Sequence, residues 1–373
     1  METDWTIHQL CSLLAERGGS DLHLVGGSPP RIRVDGRLHA IPAPIVTAAD
    51  CRRFLTAILT ESQQRTLDSQ AQVDCSISVP EVGRFRCHVY IQRGSVALAI
   101  RAIPREIPTI EALGLPPVVR QFVRKPQGLI LVTGPAGSGK STTLAALLDA
   151  MNRERAGHIV TIEDPIEFQH THKQAMVTQR EIGSDIPDID ALAKGLLRMD
   201  PDIVCLGELR DAQAIQTAMT IAETGHLTLA TMHTNTAIQT LHRVILAYPP
   251  HQQAHARTQV ALALEGILCQ RLVPRMSGKG RVLALEILVP TPAVRNLVRE
   301  DKLHQIYSMM QTGQAKHGMQ TMNQALADLV KQRIVAAQHA FAASSHPDEL
   351  AELLRRSGTY DTYRANLARF KTR

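Results

Sequence analysis

Aromatic residues are scarce in this sequence, at 3%, and its six cysteines (Cys11, Cys51, Cys75, Cys87, Cys205, Cys269) are scattered without a single C-x-x-C pair. The first shortage leaves the core to aliphatic side chains and methionine. It also leaves no aromatic-interleaved basic stripe of the kind that stacks single-stranded bases, so direct nucleic-acid binding is not expected. The second excludes a cysteine zinc site and a disulfide framework, and predicts reduced thiols in a cytosolic protein. No apolar run is long enough to cross a bilayer, and no signal-peptide core follows the acidic start Met1-Glu2-Thr3-Asp4. A cytoplasmic location is therefore expected, with any role at a membrane reached through protein partners. Internal repeats and low-complexity tracts are also missing.

The chain has 373 residues, 44% hydrophobic and 20% charged, which suits a soluble globular protein of two or three domains at roughly 100–200 residues each. Its formal charge of +6 permits acidic partners such as nucleotide, without choosing among them. Residues 1–103 read as a small α+β domain: an amphipathic helix from Ile7 to Ala15, closed by Gly18-Gly19, precedes alternating runs at Asp21–Val25, Arg31–Asp35 and Arg84–Tyr90. Residues 104–117, punctuated by Pro104, Pro108, Pro116 and Pro117, read as a linker. From 118 to 290 the pattern becomes continuous apolar strands, Gly128–Thr133, His158–Ile162, Asp202–Leu206 and His226–Thr231, separated by helical stretches. Strands apolar on both faces predict a parallel sheet covered on both sides, an α/β core. Residues 291–373 read as helical, Asn323–Val330 most clearly, with a basic tail from Arg364 to Arg373 expected to be a solvated helix end.

Chemistry enters with Gly134-Pro135-Ala136-Gly137-Ser138-Gly139-Lys140-Ser141-Thr142, a complete G-x-x-x-x-G-K-[ST] between an apolar strand and a helix. Glycines let backbone N–H groups close on phosphates, Lys140 meets the β/γ-phosphates and Ser141 ligates Mg²⁺. A second strand runs into Gly207-Glu208, where a carboxylate at the carboxyl end of a parallel strand faces the same crevice and suits a metal–water shell. A third delivers Glu163-Asp164-Pro165-Ile166-Glu167 to the same edge, and one of these acids is suited to orient or deprotonate attacking water. The fourth strand is bracketed by His226 and His233, of which His233 is the better placed to sense a γ-phosphate. The i, i+4 pair His251 and His255 lacks a zincin glutamate and reads as structural.

The order and spacing of these four blocks resemble the Walker A, Asp-box, Walker B and His-box succession of the type II/IV secretion ATPase superfamily. The resemblance covers nearly the whole chain, including Gly19–Leu24 and Gly83–Arg86, and within the superfamily Asn296–Glu300, Gln311–Gly313 and Gly318–Leu326 are similar to the PilT/PilU-type pilus retraction motors. Extension and type II secretion ATPases usually carry a large additional amino-terminal domain and a tetracysteine insertion, and this sequence shows neither. The resemblance implies a RecA-like P-loop NTPase core with a smaller PAS-like α+β N-terminal domain and a helical C-terminal region. It also implies ATP and Mg²⁺ as cofactors, a homo-hexameric ring, an inner-membrane pilus platform protein as partner, and room for a second retraction ATPase beside it. By the same resemblance Glu163 would be the general base, Glu208 the Mg²⁺–water ligand, and His233 and His226 the couplers of phosphate state to movement. Arg93 and Arg101 of the N-terminal domain would approach the phosphates. A PilU-like accessory ATPase and a plasmid- or DNA-transfer ATPase are the rival functions.

Overall fold

A computed structural model of the chain describes residues 5–34, 37–103, 106–187 and 195–357. The ends of the expected linker and strand at Pro104 and Asp35, and the basic tail from Arg364, lie outside the described residues. The chain divides into two compact units, one holding Met1–Ile107 with Pro165–Gln169, the other Pro108–Asp164 with His170–Arg373.

The first unit is built on an antiparallel six-stranded sheet: β1 (Asp21–Val25), β2 (Arg31–Val34), β3 (Arg37–Ala40), β4 (Gln72–Val79), β5 (Gly83–Gln92) and β6 (Ser95–Ala102), in the order β3-β2-β1-β6-β5-β4. Burial alternates along β4, so one face of the sheet is apolar. The helices Ile7–Glu16, Ala48–Ile58 and Glu61–Gln70 each begin with a threonine capping box, at Thr6, Thr47 and Thr60. Their apolar faces bring Leu10, Leu14 and Phe54 into one core with Leu22, Phe85 and Leu98. This is the PAS-like α+β domain, with β3 and β4 at the edges of its sheet.

The second unit holds a seven-stranded sheet: β7 (Gly128–Thr133), β8 (His158–Glu163), β9 (Met176–Glu181), β10 (Ile203–Glu208), β11 (Leu227–Met232), β12 (Leu264–Pro274) and β13 (Arg281–Leu288). Its order is β13-β12-β7-β11-β10-β8-β9, and every pairing is parallel except that of β12 with β13. Successive residues of the central strands feed two cores. Leu129, Leu131, Val204 and Leu206 meet the helices Ala212–Glu223 and Ala237–Leu246. Ile130, Val132, Ile203 and Cys205 meet Leu144, Leu147 and Met151 of the helix Lys140–Glu154. Coverage of both faces is why these strands lack polar alternation. The expected strands Asp202–Leu206 and His226–Thr231 fall one residue later at their starts and end at Glu208 and Met232. Beyond Pro290 the helices Met322–Lys331, Ala337–Ala343 and Pro347–Arg356 pack through Leu326, Ala340, Leu350 and Leu354 against Val273 and Ala284 of the β12–β13 ribbon. Among the described residues no helix is long and apolar enough to cross a membrane.

Candidate nucleotide site

Sheet register assembles the site. β11 pairs with β7 at Met232↔Thr133 and with β10 at Thr231↔Glu208, so the next residue, His233, emerges between the loop that begins at Gly134 and the carboxylate of Glu208. A bulge sharpens the placement: register shifts between Leu206 and Glu208, leaving Gly207 as the extra residue. One such residue turns the following side chain to the opposite face, which re-aims Glu208. Gly207 also lets the acidic strand tips approach, since a Cβ there would lie 3.2 Å from the Ile162 carbonyl and 3.4 Å from Glu163 Cα.

A connected polar chain results. Lys140 Nζ donates to the carbonyls of Gly134 (2.9 Å) and Pro135 (3.1 Å) and stands 3.4 Å from His233 Nδ1. His233 Nε2 is 2.9 Å from Glu208 Oε1. An ammonium has only donors, so Nδ1 accepts and the ring hydrogen sits on Nε2, directed at Glu208. Arg210 continues the chain, with Nε 3.2 Å from Glu208 Oε2 and Nη1 3.1 Å from Asp164 Oδ2. Glu163 stands at the neighbouring strand tip, where its carboxylate accepts from Thr161 Oγ1 at 2.7 Å and from Gln179 Nε2 at 2.9 Å.

The loop fits a phosphate chain. Gly137 and Gly139 hold φ of +72° and +87°, and Gly139 leads into the helix Lys140–Glu154 with no side-chain cap. Thr236, Thr291, Thr321 and Asp211 cap other helices of this unit. An uncapped N-terminus keeps free N–H donors and a positive field for an anion. Ser138 adds a buried hydroxyl that has no hydrogen-bond partner among the described residues. Pro135, Ala136 and Gly137 are exposed along the loop, and Ser141 and Thr142 are half-buried in the first turn.

A family model described as type II/IV secretion system protein matches residues 6–355. The chain belongs to the type II/IV secretion system protein family. Over 342 residues it is 41% identical to the type IV pilus retraction ATPase PilT of Pseudomonas aeruginosa, covering 92% of this chain and 99% of that one. It is 35% identical to the type IV pilus ATPase PilU of the same organism over 93% and 91% of the two chains. A crystal structure of the pilus retraction motor PilT with bound ADP superposes with a TM-score of 0.87 at 44% identity, over 93% and 99%.

Of the two histidines singled out in this secretion-system chain, one lies away from the crevice. His226 precedes β11 whereas His233 follows it, which puts the two roughly 20 Å apart at opposite edges of the sheet. His226 lines a separate cavity of about 330 Å³ with Arg155 and Asp202. In the N-terminal unit Arg101 donates through Nε to Asp21 at 2.8 Å, and Arg93 is exposed in the β5–β6 turn with φ +49°. Asp164 was one of the acids expected to act on water, and it is held by Arg210, a residue without an expected role that sheet order brings to Glu208 and Asp164 together. Gln270 on β12, whose amide donates to Thr143 Oγ1 at 2.8 Å behind the loop, has no local signal at all.

Proposed function

We propose that this protein is an ATP-hydrolysing motor that powers type IV pilus retraction, working as a homo-hexameric ring in the cytoplasm on an inner-membrane platform protein. The observation that carries the proposal is the unbroken chain Lys140–His233–Glu208–Arg210–Asp164, which ties the phosphate loop to two neighbouring strand tips. The extent of the likeness to PilT supports the retraction reading over the PilU-like one.

Gly134 to Thr142 would hold the triphosphate through backbone N–H groups and Lys140. Ser141 and Glu208 would hold Mg²⁺, the second through water, a donor set of hydroxyl, carboxylate and solvent that suits this hard cation. Bound there, the ion would offset negative charge on the phosphates. Lys140 is kept in place by loop carbonyls that a phosphate can replace. His233 would report that replacement, because its Nδ1 faces the ammonium and its Nε2 the carboxylate. Glu163 would orient and deprotonate water, with Thr161 and Gln179 fixing its carboxylate. Arg93 and Arg101 would supply planar cations to developing phosphate charge, and Arg101 would exchange Asp21 for that partner.

Purified Lys140→Ala is expected to lose ATP binding. Glu208→Gln is expected to bind ATP with hydrolysis reduced by about 10²-fold or more, the range for removing one positioned catalytic group. Equilibrium ATP binding and steady-state phosphate release on the size-fractionated ring measure both. Turnover close to wild type in either variant contradicts the assignment. In cells, a deletion strain should keep its pili and lose twitching, with rescue by wild type and none by Glu208→Gln.

A further inference from the structure

Glu286 is a carboxylate that the nucleotide site does not use, and it is almost completely buried, at 2% exposure on β13. Its two oxygens face two different helices. Oε1 accepts from the backbone N–H of Ala237 at 2.7 Å, and Oε2 from the backbone N–H of Met322 at 3.3 Å. These are the first residues of the helices Ala237–Leu246 and Met322–Lys331, so two positive helix ends converge on one side chain. Burial pushes the Glu286 carboxyl above the usual carboxylate range, and the Ala237 and Met322 N–H groups pull against that shift, as do His346 and Arg271.

The two helices belong to different parts of the molecule. Ala237 lies four residues beyond His233, across a short segment braced by hydroxyls: Thr234 Oγ1 is 2.7 Å from Thr240 Oγ1, and Thr240 Oγ1 donates to the Thr236 carbonyl at 2.8 Å. These bonds tie the residue that follows His233 to the first turn of the helix. On the other side, Asn323 Nδ2 donates to the His346 carbonyl (2.8 Å) and to Glu349 Oε2 (2.7 Å), and Glu349 also accepts from Tyr307 and Gln311. The helix starting at Met322 is thereby fastened to the rest of the C-terminal helices. Between the two sides lies a cavity of only about 60 Å³, walled by Glu286, Thr236, Asn323 and His346. Sliding either helix would take a backbone donor from a carboxylate that is only 2% exposed, which is costly for a buried charge.

We propose that Glu286 is a positioning residue that rivets the helix following His233 to the C-terminal helical region, so that the nucleotide state reported by His233 reaches those helices as a rigid displacement. The proposal rests on the assignment of His233 as the reporter of phosphate.

Hydrogen–deuterium exchange on the full-length ring with Mg·ADP and with Mg·β,γ-imido-ATP tests it. In wild type, exchange is expected to differ between the two nucleotides at both 234–240 and 322–326. Glu286→Gln presents one acceptor where two are needed. It should bind both nucleotides as wild type does and keep the difference at 234–240, while losing it at 322–326. Met322→Pro removes the second donor at a helix position that accepts proline, together with a side chain buried in the C-terminal core. It should give the same loss, and Met322→Ala, which keeps the N–H, should not, so the pair keeps the test decisive if the first variant folds poorly. A purely structural role predicts faster exchange in both nucleotide states with the difference intact, and that result overturns the proposal. So does a wild-type protein that responds at 234–240 alone. A wild type silent in both segments overturns the His233 assignment along with it.

Discussion

Gly134 shows how little freedom the phosphate loop has. It sits at φ +145°, and a Cβ there would lie 2.5 Å from the Gln270 carbonyl oxygen and 2.6 Å from Ser138 Oγ. The first neighbour is strand backbone and cannot give way, so the loop itself would have to move. Gly137, at φ +72°, has nothing within 4 Å of the same virtual atom. Gly137→Ala should therefore cost only about 1–2 kcal/mol of backbone strain and keep nucleotide binding. Gly134→Ala should cost about 2 kcal/mol or more and abolish ATP binding, because a forced shift of packed backbone is added to the strain. Denaturant unfolding and ATP titration of the two variants measure the contrast. Equal effects would mean that the close approach to Gln270 does not shape the cradle.

At the level of elements, β8 and β9 present Glu163 as a supported side chain. Thr161 and Glu163 lie two apart on one strand, hence on one face, and Gln179 is the register partner of Thr161 on β9. Thr161→Val keeps shape and burial and deletes one hydroxyl. If Glu163 deprotonates water, kcat should fall about tenfold or more with KM for ATP little changed, since a misdirected base harms the reaction and not the binding. A parallel rise in KM would assign Glu163 to binding. The same elements show what could be foreseen. β7, β8, β10 and β11 were legible because burial on both faces forces continuous apolar runs, and the acids and His233 at their ends followed. β9, with its polar Thr178-Gln179-Arg180-Glu181, gave no such run. The β12–β13 ribbon closes across residues 275–280 alone, but its attachment to the sheet is through β7, distant in sequence, which no local pattern records. The bulge at Gly207 and the placement of β11 between β7 and β10 depend on pairing, which no local pattern records, so the link from Lys140 through His233 to Glu208 could not be read beforehand.

For the molecule as a whole, one stretch of chain changes unit twice. After Asp164 the five residues Pro165–Gln169 belong with the N-terminal unit, and the chain rejoins the ATPase unit at His170. The returning segment is fastened to the far end of the phosphate-loop helix: Asn152 accepts from the backbone of Lys173, Gln174 and Ala175 and donates to the Thr171 carbonyl, while Lys173 pairs with Asp149. His170 sits among these groups with Nδ1 buried and no hydrogen-bond partner among the described residues. Burial lowers its pKa to about 4; the charge of Asp149 opposes the shift and that of Lys173 adds to it. Between an unfolded value of about 6.5 and this folded value the unfolded chain takes up a proton that the native state refuses, so stability is complete above the window and falls as the pH drops through it. The partial exposure of the ring trims the full span, leaving a loss of about 2 kcal/mol between pH 7 and pH 4. His170→Gln cannot take that proton, so its urea-unfolding free energy should decline less steeply over the same range, by about that amount. Wild type and variant falling in parallel from pH 7 to pH 4 would show that His170 accepts its proton in the native state, and that the fastening of the return segment does not depend on a neutral ring.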